Sequence, residues 1–252
     1  MQAIVRLVIR NFVSTLDRIT LFFNLVFPIF FIFILGFGYT GIVPDFELGG
    51  QTVAYPVFLA AGAVAFTVVN SGTTAGQLLW FDRKHGMFEQ ILMGPFTRGQ
   101  YLASMVISTV LIGLVSAGFV LLIAVPVLAG TTVTLVGFVY AGLDLALGSL
   151  FFGSLALALS VRLRSSEAFQ VVSTFIFFIV LFTSSVFYPA ETAPLPIQVV
   201  SLANPLTYVT DILRAGLLGL VTPLFAFEFV ALVGASAAMF ALAVRMFRNV
   251  RA

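Results

Sequence analysis

The sequence has no cysteine and one histidine, His85. The first absence excludes disulfides and thiolate metal sites, and the second leaves no histidine metal cluster or histidine-based catalytic dyad. Charge is scarce as well: Asp, Glu, Lys and Arg make up 9% of the 252 residues, far below the share of a soluble domain. No G-x-x-x-x-G-K-[ST] run is present, so the chain does not cradle ATP through that loop. Ser71 and Gly72 form no nucleophile elbow, and no Ser-His, Asp-Asp or zinc constellation suits an intramembrane hydrolase. Transport or channel function becomes the default, and no enzymatic activity is expected. The N-terminus also lacks a short apolar core with a small-residue cleavage site, so no cleavable signal is expected.

What is present is apolar. Hydrophobic residues make up 61% of the chain, mean hydropathy is +1.15, and apolar runs approach or exceed the roughly 20 residues that cross a bilayer as a helix. Since backbone polar groups cannot stay open in lipid, the expected fold is an all-α integral membrane protein forming one transmembrane domain over residues 1–252. Six spans are predicted: Leu21–Tyr39, Val53–Ala75, Tyr101–Ala129, Val133–Val161, Ala168–Tyr188 and Leu224–Arg245. The 29 phenylalanines lie mostly in or beside these runs, as lipid-facing and packing surface.

Arg6, Arg10, Arg18, Arg83, Lys84, Arg98, Arg162, Arg164, Arg245, Arg248 and Arg251 fall on one side of the six-span arrangement, eleven of the 12 basic residues. The other side carries Asp45, Glu47, Glu191, Asp211 and one base, Arg214. The positive-inside rule then makes both termini cytoplasmic.

Three features stand apart from plain spans. Residues 1–20 predict an interfacial helix, with Arg6, Arg10, Ser14 and Asp17 on one face and Val5, Val8, Ile9, Phe12, Leu16 and Ile19 on the other. Residues 81–98 predict a short amphipathic cytoplasmic helix: Asp82, Arg83, Lys84, His85 and Glu89 accompany Met87, Phe88, Ile91 and Leu92, and Gly94-Pro95 ends it. Such a helix rests on lipid headgroups or docks into a groove of a soluble partner. The third feature is Asp144, in a run from Thr131 to Val161 longer than one crossing. It reads as a polar residue at a helix end or facing protein, or as a pathway acid for proton or cation coupling. Glu228 lies near the outer start of the last span.

The connection 189–223 holds five of the ten prolines and is long for a structureless link. Within it, Asn204 suits an N-cap and Pro205 the first helical position. Leu206, Val209, Leu213 and Leu217 form an apolar stripe, with Thr210, Asp211 and Arg214 facing the other way. Asp211 and Arg214, three apart, are spaced to pair. A short, half-submerged, re-entrant outer helix is predicted.

The order of these parts, with RKHGMFEQILMGPFTRGQYLASM on the cytoplasmic side and NPLTYVTDILRAG before the last span, resembles the membrane subunit of ABC type 2 transporters, the exporter permeases. The resemblance covers nearly the whole chain. It implies a coupling helix that fits a cleft of an ATPase subunit, carried over to Asp82, Arg83, Lys84, Gly86, Glu89 and Pro95. It also implies re-entrant outer helices that close the pathway, carried over to Asn204, Pro205, Tyr208, Asp211 and Arg214. Lys84-His85 departs from the acidic residue that many relatives carry before the glycine, which affects individual salt bridges with the partner. The resemblance further implies no cofactor in this chain, ATP and Mg being bound by a separate ABC ATPase present in two copies. A second permease, as a homodimer in preference to a heterodimer, completes a four-chain assembly in a prokaryotic cytoplasmic membrane, in contact with lipid and not nucleic acid. The cargo implied is lipidic, drug-like, or a glycolipid or polysaccharide. The alternative from the residues themselves is an ATP-independent secondary transporter or channel using Asp144.

Overall fold

The computed structural model describes residues 2–15, 18–48, 50–128, 134–219 and 224–248. Leu16, Asp17, Ala129, Thr131, Val133, Pro223, Arg251 and the side chains of Arg18 and Ile19, on which some expectations above rest, lie outside that description.

The chain opens with α1 (Gln2–Thr15) and α2 (Arg18–Phe30), which passes into a π-helical stretch at Phe31–Phe37. Pro28 sits inside α2 and has no N–H to donate, and the wider register follows directly after it. An antiparallel hairpin comes next, β1 (Phe46–Leu48) against β2 (Gln51–Val53), with Phe46 opposite Val53. Then come α3 (Tyr55–Lys84), α4 (Met87–Met93), α5 (Arg98–Ala124), α6 (Leu135–Arg162) and α7 (Ser166–Phe182). A single 3-10 turn leads to α8 (Leu195–Leu202), α9 (Pro205–Leu218) and α10 (Phe225–Arg248). The hairpin is a small addition to an otherwise helical fold.

The fold is that of an all-α membrane protein, with differences in the spans. α3, α5, α6 and α10 are long and apolar enough to cross a bilayer; even α10, with 24 residues, reaches about 36 Å against a hydrocarbon core of about 30 Å. Where the sequence predicts the first and fifth spans, the helices are shorter: Leu25–Phe37 and Ser166–Phe182. α7 stops at Phe182 and does not reach Tyr188; at its end Thr183 N still bonds Ile179 O at 3.0 Å, and two hydroxyls share the last carbonyls. Thr183 Oγ1 donates to Ile179 O at 2.7 Å and Ser184 Oγ to Leu181 O at 2.7 Å. At the other extreme, α3 continues nine residues beyond the expected boundary at Ala75, to Lys84, passing through Gly76, where a methyl would stand 2.3 Å from Phe169 Cζ and 2.9 Å from Ala156 O.

Lipid offers no hydrophobic drive for helix association, so close backbone approach and small residues hold the bundle. α3 is the central helix, buried over most of its length, and crosses α6 at Gly72. A methyl there would stand 2.5 Å from Phe152 Cβ and 2.7 Å from its backbone carbon. α6 meets α9 as closely: a methyl on Gly137 would lie 2.1 Å from Gly216 O. Thr134 and Ser165 cap α6 and α7 by accepting from Gly137 N and Ala168 N.

Candidate functional site

Polar side chains gather at the two ends of α3. At the end carrying Lys84, Asp82 is 2% exposed and accepts from Arg10 of α1 and, at 2.7 Å, from the hydroxyl of Tyr101 in α5. A buried carboxylate needs such partners. Asn11 adds a contact to Ser104 Oγ at 3.4 Å, so α1 is tied along α5 by its Leu7 and Asn11 stripe. The apolar residues Val5, Ile9 and Val13 remain exposed, as an interfacial helix requires.

Beyond Lys84 the chain turns through Gly86, whose φ of +67° is a left-handed conformation that suits glycine. It starts α4, which lays Phe88 and Ile91 inward. Phe88 meets Tyr101 and Phe247 edge to face at 5.2 and 5.9 Å. Thr97 and Gln100 form a capping box that starts α5.

The structure divides the six residues of the expected coupling segment. Asp82, Arg83 and Lys84 occupy the last turn of α3, not α4. Asp82 is not on the surface: its carboxylate is consumed within the chain. Arg83 turns back, donating to Ser160 O at 3.3 Å with its guanidinium 5.8 Å from the Trp80 ring centroid. Lys84 and Pro95 are exposed, Gly86 and Glu89 half-buried, and Glu89 Oε2 is buried without a hydrogen-bond partner among the described residues.

At the opposite end, about 36 Å away along α3 from Asp82 to Phe58, lies the segment of NPLTY. Asn204 caps α9 as expected, accepting from Leu206 N at 3.0 Å, while its amide donates to Val180 O and Thr183 Oγ1 at 2.7 and 3.1 Å. One residue thus starts α9 and ties it to the end of α7. Pro205 takes the first turn, and the Tyr208 hydroxyl donates to Leu202 O in α8.

Asp211 and Arg214 pair at 3.1 Å, but not on an outward face. Arg214 is 4% exposed and Thr210 fully buried, because α9 is packed on nearly all sides; it is not half-submerged. The Arg214 guanidinium lies 3.5 Å from the Phe58 ring centroid and donates to Ser185 O at 2.8 Å, Val186 O at 3.2 Å and Phe58 O at 3.4 Å. Ser185 Oγ donates to Asp211 at 2.7 Å. One side chain therefore joins α9, α3 and the turn after α7. Tyr101, Phe58 and Ser185 were not singled out from sequence, and Arg10 was read only as part of the polar face of the N-terminal helix. Only the Ser184-Ser185 pair closing an apolar run offered a signal for the last of these.

Asp144 lies in α6, fully buried, with neither carboxylate oxygen hydrogen-bonded among the described residues. Glu228 is also buried, at the start of α10. Among the described residues no group of three or more His, Cys, Asp or Glu side chains is placed to hold a metal.

These features define a class: a multi-pass helical membrane subunit with ordered polar clusters at its two ends. Its family follows from comparison with known proteins. The family model described as "ABC-2 type transporter" matches residues 2–218, and the chain belongs to that family. It is 27% identical over 199 residues to "Nodulation protein J" of Rhizobium leguminosarum bv. viciae, covering 78% of this chain and 74% of that one. It is 28% identical over 203 residues to "Nodulation protein J" of R. leguminosarum bv. trifolii, covering 78% and 73%. The protein is therefore an ABC transporter membrane subunit, not itself catalytic, and its family implies pairing with an ABC ATPase subunit.

Proposed function

We propose that the chain is the permease of an ATP-driven exporter, moving a lipidic, drug-like or glycolipid or polysaccharide cargo out across a prokaryotic cytoplasmic membrane. The observation that carries this is the α3–α4 corner. The end of α3 and the short α4, anchored by Phe88 and Ile91, together with the Pro95 turn present Lys84, one edge of Glu89 and Pro95 at the arginine-rich end of the bundle. In this reading α4 is the coupling helix, docked to one of two ATPase copies that bind ATP and Mg. Lys84, Gly86, Glu89 and Pro95 face the partner, while Asp82 and Arg83 hold the corner rigid. Both termini are cytoplasmic, and the shorter Leu25–Phe37 and α7 helices complete their crossings with the segments that adjoin them, for six spans. A second identical permease frames the pathway. Asn204, Pro205, Tyr208, Asp211 and Arg214 hold the re-entrant α8–α9 pair as an outer gate.

The test is reconstitution in lipid with the cognate ATPase. Glu89→Arg is expected to reduce complex formation and ATPase stimulation by about tenfold or more, as charge reversal at a docked contact does, and Lys84→Glu, at an exposed residue of the same corner, to do so without changing the fold. Unchanged binding and stimulation would remove α4 from the docking role. A second reading rests on Asp144, whose unpartnered burial suits a coupling acid in an ATP-independent transporter. It requires Asp144→Asn to abolish transport driven by a proton gradient.

A further inference from the structure

The β1–β2 hairpin turns a polar face outward, where Asp45, Glu47, Gln51 and Thr52 are exposed. Its other face is apolar and lies against the end of the bundle that carries Arg214. Phe46 meets Phe58 edge to face at 4.8 Å and Tyr55 at 6.0 Å. Leu48 packs on the buried pair Val53 and Phe58, and so does Leu218, the last residue of α9. Phe58 is the common member of these contacts. Its ring carries the Arg214 guanidinium at 3.5 Å, and its carbonyl accepts from Arg214 at 3.4 Å. The hairpin thus reaches α9 twice, by shared packing at Leu218 and, through Phe58, at Arg214.

Two strands of three residues do not hold together alone in water, so this pair is folded because it is docked. β1 is bounded by Gly41 and Gly50, whose φ of +87° and +77° are left-handed conformations that suit glycine. An added methyl at either one meets nothing within 4 Å, so both turns stand in open space. A docked hairpin of this size can open without unfolding the spans. We infer that the hairpin is a clasp on α9. Docked, Phe46 fixes Phe58 beneath Arg214 while Leu48 and Val53 share their packing with Leu218; undocked, it releases both contacts and lets α9 move away from α3. Phe46 is the positioning residue of this device and acts on Arg214 through Phe58. Release does not strand the charge, because the other partners of Arg214 are Asp211 of α9 itself and the carbonyls of Ser185 and Val186 in the turn after α7. The inference rests on the reading of α8–α9 as an outer gate, for which it supplies the closing element.

The test uses the full chain with its ATPase in inverted vesicles, and the absence of native cysteine leaves only introduced thiols to react. Leu48→Cys with Leu218→Cys links the hairpin to α9, and Val57→Cys with Leu218→Cys links α3 to α9; all three residues pack on the same cluster. Each pair is bridged by a short, membrane-permeant bis-methanethiosulfonate, assayed for ATP-driven export of a fluorescent glycolipid, and then released with reductant. Bridging the hairpin pair is expected to lower export about tenfold or more, as pinning a lid does, and reductant to restore it. Undiminished export with the hairpin pair bridged overturns the clasp. If the α3 pair still blocks export in that case, the outer gate stands without a clasp; if neither pair blocks, the gate reading falls as well. A second measurement needs no export. Val186→Cys, at a buried position beside Arg214, is labelled in lipid discs with an impermeant maleimide. Phe46→Ala is expected to speed that labelling about tenfold by easing local opening, and Glu47→Gln, on the exposed face of the same strand, to leave it unchanged. Labelling of Phe46→Ala at the parent rate, or of Glu47→Gln as fast as Phe46→Ala, overturns the positioning role of Phe46.

Discussion

At the residue scale, Arg214 shows most clearly what a buried charge does in this fold. It is held by Asp211, by three backbone carbonyls and by the face of Phe58, so its cost of burial is offset only while all these partners stay in place. Arg214→Met leaves Asp211 uncompensated and is expected to lower stability by about 3–5 kcal/mol, read as unfolding in detergent or lipid discs. Arg214→Lys keeps the charge but not the fork of donors; it is expected to recover only part of the loss. Full recovery by lysine would show that charge alone, without the carbonyl contacts, holds α9. The pairing of Asp211 with Arg214 was legible in the sequence because residues three apart on a helix are neighbours. The inward direction was not, because it depends on Phe58, more than 150 positions earlier. The same limit applies to Asp82, read as a surface charge beside its neighbours Arg83 and Lys84. Its partners Arg10 and Tyr101 come from other helices, and local spacing carries no sign of them.

At the element scale, caps and stops were the most legible signals. Asn204-Pro205 starts α9 and Gly94-Pro95 ends α4, each for a reason contained in a few residues, whereas the left-handed turn at Gly86 falls inside a segment expected to be one helix. Hydropathy gave the apolar runs but not where helices end inside them. α7 terminates where Thr183 and Ser184 bond back to its carbonyls, and the first predicted span changes register after Pro28. Interhelical contact depends on small residues that hydropathy weights little. Gly72→Leu is expected to overpack the α3–α6 crossing, destabilising the bundle by about 1–3 kcal/mol or more. Gly118→Leu, on an open face of α5 with no atom within 4 Å of an added methyl, serves as control and is expected to be neutral. Equal loss for the two variants in a thermal-shift assay would contradict a close α3–α6 crossing.

At the scale of the whole molecule, the one-sided distribution of basic residues takes physical form. Arg10 pairs with Asp82, Arg83 bonds to Ser160 O and Arg98 donates to Arg248 O at 3.5 Å, all toward one end, while the Asp211–Arg214 pair lies at the other. α3 spans both clusters as a single continuous helix, giving a rigid link from the α4 corner to the base of α9. This arrangement suits a subunit that receives force at one end and opens at the other. The most direct measurement uses inverted membrane vesicles containing the chain and its ATPase, with a fluorescent glycolipid supplied outside them as the transported probe. The account expects uptake that requires ATP hydrolysis and continues when a protonophore collapses the proton gradient. Uptake that persists in ATP-depleted vesicles and disappears with the gradient would contradict it.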